Sequence, residues 1–283
     1  MKKLLPVILT LLGIVVIINT FATLIGRFPA PSKITKHFSP SPRPTPTPTP
    51  RPLTFAEMNA LYGPCVFLPT LFYHHIQSPE AAKQNKQTAL TIDTDFFRNQ
   101  MKYLKDKGYH TVSMNDLVSF FDNGIPISSG SILLTFDDAY ADFASDAVPI
   151  LREFGFKATL FVPTGLVNNP GYLTWDIISS LAPGGDILFA NHTWSHHNLL
   201  AAENVIEKEI STADTQLAEK GLNSPKVFAY PYGLSSAQTE TFLTKLGYKL
   251  AFTTVSGSTL CKKLRLELPR VRIGNTNISY YGF

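Results

Sequence analysis

From Phe55 to the end of the chain, two hydrophobic periods alternate. Short apolar runs rich in β-branched and aromatic residues lie at 65–73, 132–136, 158–162, 187–190, 227–230, 250–254 and 268–273, and read as strands. Between them, 94–108, 114–123, 144–154, 202–221 and 236–247 carry apolar residues at helical spacing. Strands alternating with helices predict an α/β domain with a parallel sheet. About 230 residues with roughly seven strands fit a single TIM-like (β/α) barrel better than two small sheets, and the chemistry of such a barrel gathers at the C-terminal strand ends.

The N-terminal part follows neither period. Leu4 to Ile25 is an uncharged run of 22 residues behind Lys2 and Lys3, about 33 Å long as a helix, enough for a bilayer core. It predicts a membrane anchor over 1–27. The competing reading is a cleaved signal segment, which the length of the run and the lack of an A-x-A site disfavour. Lys2 and Lys3 argue for a cytoplasmic N-terminus, an asymmetry that Arg27, Lys33 and Lys36 weaken. Residues 28–54 hold nine of the 21 prolines and predict an extended linker of up to about 75 Å, holding a domain at 55–283 away from a membrane.

Separating these segments changes the meaning of the +4 net charge. The seven Lys and Arg before Phe55 have no acidic counterpart, so 18 basic residues face 21 acidic ones in the domain, which carries about −3. Nothing in that balance suggests nucleic acid.

The candidate chemistry starts where the run from Ser131 to Phe136 ends in Asp137 and Asp138. Burying an unpaired carboxylate costs several kcal/mol. Two in succession after a core strand call for a metal, a cationic partner or a shared proton, unless both cap the next helix. Five of the seven histidines also follow strand runs: His74 and His75 after the first, and His192, His196 and His197 after 187–190. In a barrel both clusters would share a rim with the aspartates. His192 and His196, four apart, can reach one ion, whereas His197 is expected to face solvent.

Over 65–273 the chain resembles the polysaccharide deacetylases, the family 4 carbohydrate esterases, and within them the extracytoplasmic poly-N-acetylglucosamine deacetylase branch that opens on Tyr-His. Thr135-Phe136-Asp137-Asp138 is similar to the family's first motif, His192-Thr193-Trp194-Ser195-His196 to its H-[ST]-x-x-H motif, and Tyr230-Pro231-Tyr232-Gly233 to its third. Phe72-Tyr73-His74-His75-Ile76, Ala158-Thr159-Leu160-Phe161-Val162 and Leu268-Pro269-Arg270-Val271-Arg272-Ile273 resemble further blocks of that branch.

The resemblance implies one divalent cation, with Zn²⁺ the expected metal, held by Asp138, His192 and His196 with positions left for water and the acetyl oxygen. It implies Asp137 as general base and His74, in preference to its neighbour His75, as the acid for the departing nitrogen. The main-chain N–H of Tyr232 is implied as an oxyanion donor; a plain turn is the other reading of Tyr-Pro-Tyr-Gly, and the two are compatible. Trp175 is expected either to stack on a sugar face or simply to pack. The Arg that many members carry before the third-motif aromatic is Ala229 here. Arg270 is therefore expected to supply the guanidinium that orients Asp137, a surface salt bridge being the alternative. Ala139 and Asn191 replace a frequent Gly and Ser at positions that ligate nothing.

The implied protein is a membrane-tethered, extracytoplasmic, metal-dependent hydrolase that removes N-acetyl groups from an N-acetylglucosamine-containing polysaccharide, with peptidoglycan and poly-N-acetylglucosamine the leading substrates. O-deacetylation of a xylan-type glycan and a non-catalytic glycan-binding module are the alternatives. Cys65 and Cys261 precede the first and last strands, neighbours in a closed barrel. An oxidising exterior would permit a disulfide between them; two buried thiols are the alternative.

Overall fold

Seven of the apolar runs become the staves of one barrel in the computed structural model, which describes residues 51–283. In chain order they are β1 (Thr70–Tyr73), β2 (Ser131–Phe136), β3 (Ala158–Val162), β4 (Ile187–Asn191), β5 (Val227–Ala229), β6 (Leu250–Ser256) and β7 (Leu268–Arg272). Each pairs in parallel with the next, and the ring closes at β1, where Tyr73 stands opposite Phe136 of β2 and Phe72 opposite Arg272 of β7.

The two-residue period of a strand sorts the side chains. In β2, Ile132, Leu134 and Phe136 join an outer core layer packed by the helices Thr94–Asp106, Val148–Phe154 and Trp175–Leu181. Leu133 joins an inner cluster with Phe161, Ala190, Val227, Ala229, Leu250, Phe252 and Leu268. A second outer cluster sets Phe228, Tyr230 and Ala251 against the helices Glu203–Ala218 and Ala237–Lys245.

One end of the barrel is plugged. The short strand His110–Thr111 pairs with the start of β2, and the helix that follows, Met114–Asn123, adds Met114, Leu117 and Phe121 to the inner cluster. Ser113 and Asp116 cap that helix reciprocally, and Gly124 ends it in the left-handed conformation. The open mouth is therefore at the C-terminal strand ends, where the candidate residues lie.

Two predicted runs are divided. The run 65–73 breaks at Pro69, which has no N–H to give a ladder: Cys65–Phe67 pairs antiparallel with Thr259–Cys261, and only Thr70–Tyr73 enters the barrel. The run 144–154 opens with a wide turn, Phe143–Ala147, before the regular helix Val148–Phe154, because Pro149 cannot donate into the preceding turn. Cys65 and Cys261 face each other in register and are bonded, with an S–S distance of 2.02 Å.

The expected anchor at 1–27, and the expected linker apart from 51–54, lie outside the described residues. Among the described residues no helix is long and apolar enough to cross a membrane. The first described helix, Phe55–Tyr62, is capped reciprocally by Thr54 and Glu57.

Candidate active site

The inward face of β2 continues from Leu133 through Thr135 to Asp137. Arg270 reaches that carboxylate from β7: Nη1 donates to Oδ1 at 2.8 Å and Nη2 to Oδ2 at 2.7 Å. Arg270 Nη1 also donates to Thr135 Oγ1 at 3.2 Å, Nε donates to the Thr253 carbonyl at 3.0 Å, and the guanidinium lies over the Phe72 ring at 4.4 Å. Both partners are buried. Burial by itself would raise the pKa of Asp137; the charge and hydrogen bonds of Arg270, helped by His192 and His74, outweigh it and hold the carboxyl below its ordinary value. Asp137 is thus an ionised carboxylate locked in one orientation.

Asp138 leaves the strand. Its φ of 76° and that of Ala139, 56°, are left-handed, a conformation that swings its carboxylate away from the Asp137 direction and persists only where surrounding structure enforces it. Asp138 Oδ1 faces Nε2 of His192 at 3.5 Å and Nε2 of His196 at 3.2 Å. His192 Nδ1 donates to the Ala229 carbonyl at 2.7 Å, which turns Nε2 toward Asp138 as the free ring nitrogen.

The three ligand atoms lie within 4.8 Å of one another, and Asp138 Oδ1 is buried without a hydrogen-bond donor. Converging acceptors of this kind, one carboxylate and two imidazoles, fit a divalent cation. Burial works against charge on all three groups. The neighbouring His192 and His196 charges nevertheless hold Asp138 below the carboxylate range, and Asp138 and Asp137 together raise His192. Burial and the neighbouring His192 push His196 down to about 4.

The two adjacent histidines after β1 part company. His74 lies within electrostatic reach of Asp137, Asp138, Arg270 and His192; burial lowers its pKa, with the two aspartates opposing. His75 is buried facing away from that cluster, its Nδ1 2.5 Å from Asp142 Oδ2 and its ring stacked on Tyr140 at 3.6 Å. Asp142 Oδ1 also accepts from the Ile76 N–H at 3.0 Å. Tyr140 in turn borders the site: burial first, and then the Asp138 charge, raise its phenol.

Tyr232 sits in the turn after β5, itself at φ 61° and followed by Gly233 at φ 74°. A Cβ on Gly233 would lie 2.0 Å from Thr254 Oγ1, so only glycine lets this turn close against β6. The Tyr232 ring meets that of His196 at 4.8 Å and remains 62% exposed at the mouth. Trp175 packs against the outer core instead, with Lys220 4.7 Å from the centre of its ring, and His197 is exposed.

One buried side chain beside the site, Glu209, escaped the sequence reading. Ser195, between His192 and His196, donates its N–H to Glu209 Oε2 at 2.8 Å and its hydroxyl to Oε1 at 2.7 Å. Glu209 is buried on the helix Glu203–Ala218 beside Ile206, Ile210 and Ala213. An acid inside an apolar helical stripe was the available signal. The Ala229 carbonyl that orients His192 left none, because any residue carries one.

A family model described as polysaccharide deacetylase matches residues 125–251, a span that takes in Asp137, Asp138, His192, His196 and Tyr232 but neither His74 nor Arg270. The poly-β-1,6-N-acetyl-D-glucosamine N-deacetylase of Escherichia coli K12 is 26% identical over a match covering 72% of this chain and 36% of its own length. The protein of the same name from Staphylococcus aureus MRSA252 is 25% identical, over 65% of this chain and 68% of its own. The Streptococcus pyogenes deacetylase PplD, solved in complex with acetate, is 31% identical, with a TM-score of 0.67 and coverage of 74% of this chain and 93% of that one. Matched by this family model and 31% identical to a solved deacetylase over most of that protein's length, the chain belongs to the polysaccharide deacetylase family.

Proposed function

We propose that this protein removes N-acetyl groups from an N-acetylglucosamine-containing glycan outside the cytoplasm, held there by its N-terminal 1–27 segment and the Pro-rich residues 28–54. The observation that carries this reading is the juxtaposition of the Asp138, His192 and His196 acceptors with the Arg270-held carboxylate of Asp137. Relatives named as poly-β-1,6-N-acetyl-D-glucosamine N-deacetylases support the substrate class.

Asp138, His192 and His196 would hold the cation, for which one carboxylate and two imidazole nitrogens suit Zn²⁺. When bound, it supplies Lewis-acid chemistry, acidifying a water and polarising the acetyl carbonyl. Asp137, ionised and fixed by Arg270, accepts the proton of the attacking water. His74 returns a proton to the amide nitrogen as the C–N bond breaks, giving acetate and a free amine; burial, which lowers its pKa, makes its protonated form a strong donor. The Tyr232 N–H, presented by the tight Tyr230–Gly233 turn, donates to the developing oxyanion, a contribution of about 3 kcal/mol for one donor of this kind. The exposed Tyr232 ring offers a face for a sugar.

The substrate is tested by acetate release from N-acetylglucosamine pentamer and from acetylxylan. Release from the pentamer alone, or by far the faster release from it, is the expected result. Release from acetylxylan alone would replace the reading with O-deacetylation, and glycan binding without any release would replace it with a non-catalytic module.

A further inference from the structure

A small cavity adjoins His74. It measures about 120 Å³ and is lined by His74, Thr91, Ile92, Arg272, Gly274 and Asn275, among others. It is a small recess open to solvent beside His74. Strand register puts it at the mouth. Arg272 pairs with Phe72, two residues before His74, and shares by the two-residue period the inward face of Arg270.

Arg270 and Arg272 differ in one respect. The first is spent on Asp137, whereas Arg272 is exposed, and among the described residues its guanidinium is held only by the Ala89 carbonyl, which accepts from Nη2 at 3.0 Å. That single bond aims the fork without neutralising it. A planar cation with donors to spare, lining a small recess beside His74, matches a carboxylate better than a hydroxyl or an acetamide.

We infer that this cavity is a subsite for a carboxylate-bearing substituent on the sugar next to the N-acetylglucosamine unit being hydrolysed, with Arg272 as its recognition residue. The inference rests on the proposed N-deacetylase reading and narrows its substrate to an acidic glycan.

The test measures acetate release by the full chain with Zn²⁺ from oligosaccharides of equal length. One is a neutral N-acetylglucosamine oligomer. In two others N-acetylglucosamine alternates with a sugar bearing either a lactyl-ether carboxylate or a uronic carboxylate, and in matched controls each carboxyl is capped as a neutral amide. For at least one acidic oligomer, kcat/KM is expected to exceed that of its capped control by about tenfold or more. That ratio should fall to near one in Arg272→Gln and be partly kept in Arg272→Lys. Which oligomer shows it identifies the source of the carboxylate. A ratio near one for both acidic oligomers in the unaltered protein, or a ratio that survives Arg272→Gln, overturns the inference while leaving the N-deacetylase reading standing on the neutral oligomer. No acetate from any oligomer overturns both.

Discussion

Arg270 meets Asp137 at two points, 2.8 and 2.7 Å, across 133 residues of chain and one intervening strand. The pair couples the last strand of the barrel to the Asp137-Asp138 pair that ends β2. Replacing Arg270 with Gln leaves a buried carboxylate without its cation, which costs about 3–5 kcal/mol of stability. Turnover should fall by at least about 100-fold as Asp137 loses both its orientation and its low pKa. Arg270→Lys keeps the charge but not the fork and should fall between. Urea unfolding and steady-state kinetics check both effects; a Gln variant as stable and as active as the parent would show that the pair is incidental.

Glu209 touches no ligand, yet it grips Ser195 between His192 and His196. Glu209→Gln and Ser195→Ala should each weaken metal binding by about 10–100-fold, as the loss of supporting hydrogen bonds around a metal site commonly does. Competition against a chromophoric chelator measures this directly. Unchanged affinity in both variants would reduce Glu209 to a packing role.

Glu240 gives the fold a pH dependence of uncommon sign. Burial, then the hydrogen bond and charge of Glu267, raise its pKa from 4.5 to about 7. Between those values the folded protein keeps a proton that the unfolded chain has lost, so this group's contribution to stability declines as pH rises through that window and stays low above it. Glu240→Gln should therefore be more stable than the parent at about pH 8, with the advantage shrinking toward about pH 5. Thermal unfolding at the two pH values is the check, and an advantage that grows on acidification would reject the assignment.

The bonded Cys65 and Cys261 tie the strand before β1 to the strand before β7. Replacing both with Ser should cost about 2–5 kcal/mol, the usual range for a native disulfide. Denaturant melts under oxidising and reducing conditions measure it. A parent protein indifferent to reductant would contradict the bond's contribution.

Much of this architecture was legible from the hydrophobic pattern, and what was not has identifiable causes. Ala158–Val162 and Met114–Asn123 have the predicted bounds because each is an unbroken period flanked by clear stop or cap residues, Ser113 and Gly124 for the helix. Residues 65–73 read as one strand because apolarity is continuous across Pro69, and only the missing N–H reveals the break. The Asp-Asp and H-x-x-x-H motifs announced themselves through residue types expensive to bury. His74 and His75 could not be separated by composition. As adjacent residues, half a strand period apart, one faces the mouth and the other Asp142. The Ala229 carbonyl that orients His192 is a main-chain group, invisible in any residue pattern.

The most direct test of the account is acetate release from N-acetylglucosamine pentamer by the full chain, stripped of metal, reloaded with Zn²⁺, and as Asp138→Ala with Zn²⁺. Turnover is expected only in the reloaded parent, with loss in the stripped protein reversed by metal and loss in the variant not reversed. Equal turnover with and without metal, or an active Asp138→Ala protein, would contradict it.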